Sequence, residues 1–337
     1  MTTHIYRLPD LLAGCPRKRG PVNPYLAEVN EEHIGWIDNC PTFRAPNDSN
    51  ACKSAQLPLF MSLMFPKADA KALRAIVNYV TATIILDKIN DTATVENAQQ
   101  FASLYTAAFN NPSEGMKSQH TFVQLISSLS FALNESVGPS YLTDFLRANA
   151  AFAQSTVQEA VERKAAQDTS SKLTLETYLA TRRDSICIKP YMIFVRSSGG
   201  LEIPRDTLGE PAIRGMEEEV INMILIANDI YSYKKELTED NAPHNLLTVL
   251  MQDPPTSHLD LQGAIDYAGK LFESSLNRFK KCQATLPLLD EETNNMVVEY
   301  AEGLSDLFVG NIEWSVVVPR YNVFENEEHR QRRWMVL

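Results

Sequence analysis

No stretch of the 337 residues approaches the roughly 20 consecutive apolar side chains that a helix needs to cross a bilayer. The start, MTTHIYRLPDLLAGCPRKRG, lacks the long apolar core of a secretory signal, so the expected setting is cytoplasmic and not membrane-spanning. Cysteine is sparse. Cys15, Cys40, Cys52, Cys187 and Cys282 are odd in number and without CxxC spacing, which argues against a disulfide framework and a zinc site and leaves reduced thiols. Six scattered histidines, with neither HExxH nor GxSxG, give metalloprotease and serine-hydrolase readings no support. Positive charge is also short: 31 lysines and arginines face 42 acids, a formal net charge of −11. Nucleic acid is therefore not an expected partner, and any phosphate site must be local. Alternating strand patterns are nearly absent, as are fixed-period repeats and low-complexity blocks.

What is present is helical. Apolar residues make up 44% and charged residues 22%, an ordinary balance for a chain that buries a sizeable core. Residues 1–58 read as an irregular arm rich in proline (Pro9, Pro16, Pro21, Pro24, Pro41, Pro46 and Pro58), with one helix near 25–38. From Lys67 an apolar helical run, ALRAIVNYVTATIILDKIND, has acids only at its end. Further helical patterns cover about 96–110, 117–133, 139–166, 172–187, 211–240, 244–252, 258–284 and 290–316, separated by Asn111-Pro112, Gly138-Pro139, Ser197–Gly200 and Asp253–Pro255. The expected architecture is an all-α bundle around a central cavity, spanning 59–324, with residues 325–337 as a solvated tail.

Two helix ends carry candidate chemistry. In 221–236, INMILIANDIYSYKKE, an apolar run turns abruptly polar. Asn228, Ser232 and Glu236 recur at i, i+4 and i+8 and drift only about 80° across one face, so all three can offer oxygen to one hard cation such as Mg²⁺. Lys235 falls about 20° from Asn228 and Lys234 about 120° away, so one lysine accompanies the oxygens and suits an anionic, phosphate-bearing substrate. The same triplet also fits a solvated helix face. Asp87 and Asp91, at i and i+4 after the apolar VTATIIL, can point into one polar space, or form a routine solvated pair.

The order N-D-x-x-S-x-x-K-E resembles the second metal motif of the class I terpene synthases of the microbial, fungal sesquiterpene cyclase type. That family's fold is a single-domain α-helical bundle around an apolar cavity. The resemblance implies that D-K-I-N-D at 87–91 stands for the aspartate-rich motif, with Lys88 in place of its second acid. Asp87 then keeps the metal-bridging role, Asp91 holds a basic side chain or water, and Asn90 or Glu96 compensates for the lost acid. Arg182, 46 positions before Asn228, matches the family's diphosphate-sensing arginine, with Ser185 at the linker and Ile186 at the effector position, while Arg183 faces elsewhere. Arg320 and Tyr321 match a C-terminal Arg-Tyr pair whose donors suit diphosphate oxygens. Trp314 matches an aromatic wall of the cavity, and VNPYLAEVNEEHIGW resembles the N-terminal segment.

By the same resemblance the chain ionises farnesyl diphosphate with three Mg²⁺ ions and cyclises the carbocation to a sesquiterpene hydrocarbon or alcohol. Arg182, Lys235, Arg320 and Tyr321 serve the departing diphosphate. The partner is a small isoprenoid diphosphate, and assembly as a homodimer is allowed. Two alternatives are kept: a chain-elongating prenyl diphosphate synthase, whose second motif would be another D-D-x-x-D, and a non-catalytic helical isoprenoid-binding protein.

Overall fold

The computed structural model describes residues 4–15, 21–40, 43, 46–169, 173–239 and 242–337, with backbone alone at 46–48 and 166–169. In chain order, a short strand β1 (Ile5–Arg7) is followed by helices α1 (Leu26–Asn39), α2 (Pro46–Ser54) and α3 (Leu57–Met64). Next come α4 (Ala70–Asn90), α5 (Val95–Asn110), α6 (Pro112–Gly115), α7 (Thr121–Val137), α8 (Pro139–Thr169), α9 (Leu175–Ser185) and α10 (Ile188–Gly199). The last part holds α11 (Arg205–Leu208), α12 (Pro211–Thr238), α13 (Leu246–Gln252), α14 (Leu261–Ala284), α15 (Glu291–Val317), α16 (Glu327–Arg332) and a closing strand β2 (Trp334–Val336). Residues 67–202 form one compact unit, and residues 1–66 with 203–337 form another. The all-α expectation holds.

In the unit of residues 67–202, α4 packs on α5, α7 and α8. The Asp69 carboxylate caps α4 by accepting the Ala72 N–H at 2.7 Å, and the helix buries residues on nearly every side, from Leu73 to Leu86. Tyr79 lies at the centre of this packing. Its ring meets Phe145 and Phe194 edge-on at 5.3 and 5.2 Å, a geometry worth about 0.5–1.5 kcal/mol per pair beyond area burial. Its hydroxyl and that of Tyr105 both donate to Asn149 Oδ1, at 3.1 and 3.0 Å, so the polar ends of two fully buried rings are satisfied.

The other unit is built on α12, which packs against α14 and α15, while α15 packs against α3. Gly310 permits that last contact: a Cβ there would stand 2.6 Å from the Leu63 carbonyl. Glu219 of α12 takes the guanidinium of Arg278 from α14 in a forked pair, one arm of it at 2.9 Å.

The tail differs from the solvated terminus that its charges suggest. Asn326 caps α16, and β2 pairs antiparallel with β1, Tyr6 opposite Met335. Met335 is fully buried, so the apolar triplet WMV ties the end of the chain to its beginning. The arm also carries more helix than expected, with α2 following α1, and α3 starts where the arm was expected to end. Further on, α10 occupies a stretch to which the sequence pattern assigned no helix. Its residues 190–196 are buried without a break, so no polar face marks its period, and Pro190 stands in its first turn, where a proline is tolerated.

Candidate active site

The apolar run of α12 is buried from Glu219 through Ala227, and the helix then presents its polar end. Asn228 and Glu236 are half-buried and Ser232 is buried. Ser232 donates its hydroxyl to Glu236 Oε1 at 2.5 Å, which puts two of the three expected oxygen ligands side by side. Asn228 Nδ2 donates to the Tyr321 hydroxyl at 2.8 Å.

Tyr321 gets there through the end of α15. Val318 closes the helix by donating its N–H to the Trp314 carbonyl at 2.9 Å, Pro319 cannot continue it, and Asn322 takes a left-handed φ of 44° that asparagine tolerates. The chain therefore turns back at Arg320 and Tyr321. Trp314 stacks on Phe60 at 4.1 Å, meets Tyr321 edge-on at 5.1 Å and donates Nε1–H to the Ala55 carbonyl at 2.9 Å. Arg320 is half-buried.

Lys235 is engaged differently from the expectation that helix rotation alone gives. Its ammonium pairs with the Glu239 carboxylate one turn on, and Lys234 stands 3.9 Å from Glu325. Asp229, between the motif's polar positions, is 1% exposed and turns to α13, its Oδ2 accepting the Leu246 N–H at 3.2 Å. Asn245, which the sequence pattern did not single out, donates Nδ2–H to Glu236 Oε2 at 2.9 Å. The available signal was its place as N-cap before the apolar LLTVL.

An amide, a hydroxyl and a carboxylate make an all-oxygen set that fits a hard divalent cation. Among the described residues no three His, Cys, Asp or Glu side chains gather to hold a metal. Glu236 is the one acid in the α12 set, so a cation there would need much of its compensating charge from an anionic ligand, as Mg²⁺ commonly takes from phosphate oxygens.

In the unit of residues 67–202, Asp87 ends the buried length of α4 half-buried, with Lys88 exposed beside it. Asp91 caps the helix, donating its N–H to the Asp87 carbonyl at 2.8 Å. Asn90 is committed to α8: its Nδ2 donates to Thr156 Oγ1 at 2.7 Å and its carbonyl accepts from Arg163. Glu96 is exposed in the first turn of α5, where its own backbone N–H and the Thr94 hydroxyl hold its carboxyl below the usual range.

Arg182, Ser185 and Ile186 share the last turn of α9, with Arg182 Nη1 3.5 Å from Ser185 Oγ and the Ile186 N–H donated to the Arg182 carbonyl at 2.9 Å. The break that follows is made by Cys187, whose φ of 61° is left-handed and costs on the order of 1–3 kcal/mol. Its thiol is 3.2 Å from the Tyr79 hydroxyl. Burial pushes that thiol well above the ordinary range, against the Tyr79 hydrogen bond, and the negative charge of Asp87 raises it further.

Residues 78–278, more than half of the chain, match the family model described as terpene synthase family 2, C-terminal metal binding. Alpha-muurolene synthase of Coprinopsis cinerea is 26% identical over 98% of this chain and 77% of that protein. Delta(6)-protoilludene synthase of Armillaria gallica is 25% identical over 100% of this chain and 94% of that protein. Among solved structures, that of a-eudesmol synthase shares the fold with a TM-score of 0.76 at 21% identity, covering 90% of this chain and 97% of that one. The matched segment contains Asp87, Arg182, Asn228, Ser232 and Glu236. On that match the chain belongs to terpene synthase family 2 and is a class I terpene synthase.

Proposed function

We propose that the chain is a Mg²⁺-dependent cyclase that ionises farnesyl diphosphate and closes the carbocation to a sesquiterpene hydrocarbon or alcohol. The observation that carries this reading is the oxygen face of α12, Asn228, Ser232 and Glu236, joined to Tyr321 by the Asn228 hydrogen bond. The similarity to alpha-muurolene and Delta(6)-protoilludene synthases supports the choice of a sesquiterpene skeleton.

Asn228, Ser232 and Glu236 would hold metal from α12, and Asp87 would supply a ligand from the end of α4. Mg²⁺, three ions in this proposal, supplies Lewis-acid neutralisation of the charge that develops on diphosphate. Tyr321 and Arg320 donate hydrogen bonds to diphosphate oxygens, and Arg182 does so from α9, which makes the anion a better leaving group. Lys235, paired with Glu239, tunes the local charge and is a secondary donor. Trp314, held between Phe60 and Tyr321, belongs in this proposal to the aromatic wall of the isoprenoid cavity. Ser185 and Ile186, at the break before α10, border the isoprenoid, and Asp91 orients a basic group or water. A cytoplasmic location belongs to the same proposal. Among the described residues no helix is long and apolar enough to cross a membrane.

The test is incubation of the purified protein with farnesyl diphosphate and Mg²⁺, with gas chromatography of a pentane extract. A cyclic hydrocarbon or alcohol is expected. Longer prenyl diphosphates would assign chain elongation instead, and binding without turnover would leave a non-catalytic isoprenoid carrier. Asn228→Ala and Glu236→Ala should each abolish turnover while the helical circular dichroism is kept; full activity in either removes the metal assignment.

A further inference from the structure

Asn245 is fully buried at the N-cap of α13, with both N–H donors and the carbonyl oxygen of its amide group engaged. Nδ2 donates to Glu236 Oε2 at 2.9 Å and to the Asp229 carbonyl at 2.9 Å, and Oδ1 accepts the Leu247 N–H at 2.9 Å. A primary amide has two N–H donors and one carbonyl oxygen, so these three contacts exhaust the donors and engage the oxygen. Capping alone does not require asparagine. Aspartate or serine caps a helix about as well, by the same acceptance of an N–H. What asparagine adds is the reach back to α12. Aspartate would lose both donors and face the Glu236 carboxylate with like charge, and serine is too short to serve both partners.

The bond to Glu236 also decides which carboxylate oxygen is turned where. Oε2 is held by Asn245, leaving Oε1 as the oxygen beside the Ser232 hydroxyl at 2.5 Å. The α12 backbone is fixed at the same time, because Asn245 grips the Asp229 carbonyl while the Asp229 carboxylate takes the Leu246 N–H. Asp229 and Asn245 thus fasten the start of α13 to the helix that carries the oxygen face.

We propose that Asn245 is a positioning residue for the divalent cation. Its amide fixes the rotamer of Glu236 so that Oε1, together with Ser232, forms the ligating edge. The inference rests on the reading of Glu236 as a metal ligand. Hydrogen-bond partners of metal ligands typically change affinity by 10–100-fold when removed, which sets the scale of the effect.

The experiment compares the full-length chain with Asn245→Ser, Glu236→Gln and the double variant, each titrated with Mn²⁺ in the presence of inorganic pyrophosphate while free Mn²⁺ is read by electron paramagnetic resonance. Asn245→Ser keeps an acceptor for the Leu247 N–H, so α13 stays capped. Metal-free melting is measured beside each titration. The expected result is a loss of about ten-fold or more in Mn²⁺ affinity for Asn245→Ser, a metal-free Tm close to the parent, and no further loss in the double variant beyond Glu236→Gln. Parent-like affinity in Asn245→Ser alongside weak binding in Glu236→Gln overturns the positioning role and leaves the ligand reading standing. Unchanged affinity in Glu236→Gln overturns the ligand reading and this inference with it. Should Asn245→Ser melt well below the parent, the double variant decides: additive losses overturn the proposal, and absence of further loss supports it.

Discussion

The Asn228 amide donates to the Tyr321 hydroxyl at 2.8 Å across 93 positions of sequence. The bond joins the polar end of α12 to the turn that follows α15 and fixes the orientation of the phenol there. Tyr321→Phe keeps the ring against Trp314 but removes both the acceptor for Asn228 and the donor. The expected outcome is a fall in kcat/KM of about ten-fold or more, equivalent to about 1–3 kcal/mol, with Tm nearly unchanged. Parent-like kcat/KM would separate Tyr321 from the reaction.

Arg182 and Arg183 are adjacent and both half-buried on α9, but Arg182 is the one whose guanidinium reaches Ser185 at the break before α10. Arg182→Ala should lower turnover by at least ten-fold, the scale of one lost charge-assisted hydrogen bond, while Arg183→Ala does little. Steady-state kinetics on both variants checks this. Equal losses would mean that the wrong face of the helix was assigned.

Lys88 stands where the proposed match of 87–91 to an acidic motif expects an acid, and it is exposed while Asp87 beside it is half-buried. The two side chains diverge by about 100°. Lys88→Asp and Lys88→Ala should therefore preserve the product profile and shift the Mg²⁺ dependence only slightly. A loss of kcat/KM of about ten-fold or more in both variants would instead make Lys88 a diphosphate donor.

Two glycines should respond to alanine with opposite signs. At Gly310 a Cβ meets the Leu63 carbonyl at 2.6 Å and the Met64 nitrogen at 2.7 Å, so α15 must shift from α3, costing about 1–3 kcal/mol. At Gly35, inside α1, nothing lies within 4 Å of a built Cβ, and alanine should gain about 0.5–1 kcal/mol. Thermal melting of Gly310→Ala and Gly35→Ala reads both, the first falling and the second rising.

The parts of this protein legible in its sequence are those where one local pattern carries the signal. The apolar run of α12 ends in Asn228, Ser232 and Glu236 at helical spacing, and α4 buries most of its length before Asp87, so both helices and their polar ends could be read directly. Lys235 shows where rotation alone is insufficient, since Glu239 at i+4 takes its ammonium. Asn245 was not legible because its role depends on a hydrogen bond from the start of α13 back to Glu236. The pairing of Trp334–Val336 with Ile5–Arg7 joins opposite ends of the chain, a contact that no local pattern encodes. Cys187 likewise takes a left-handed turn that its residue type does not announce.

The most direct test of the central claim measures diphosphate release and organic product together, on farnesyl diphosphate, with and without Mg²⁺. Ionisation followed by ring closure predicts equal molar amounts of inorganic diphosphate and of a cyclic C15 hydrocarbon or alcohol, both absent in EDTA and in Glu236→Ala. Release of diphosphate with only acyclic alcohol, or turnover that persists without divalent metal, would contradict it.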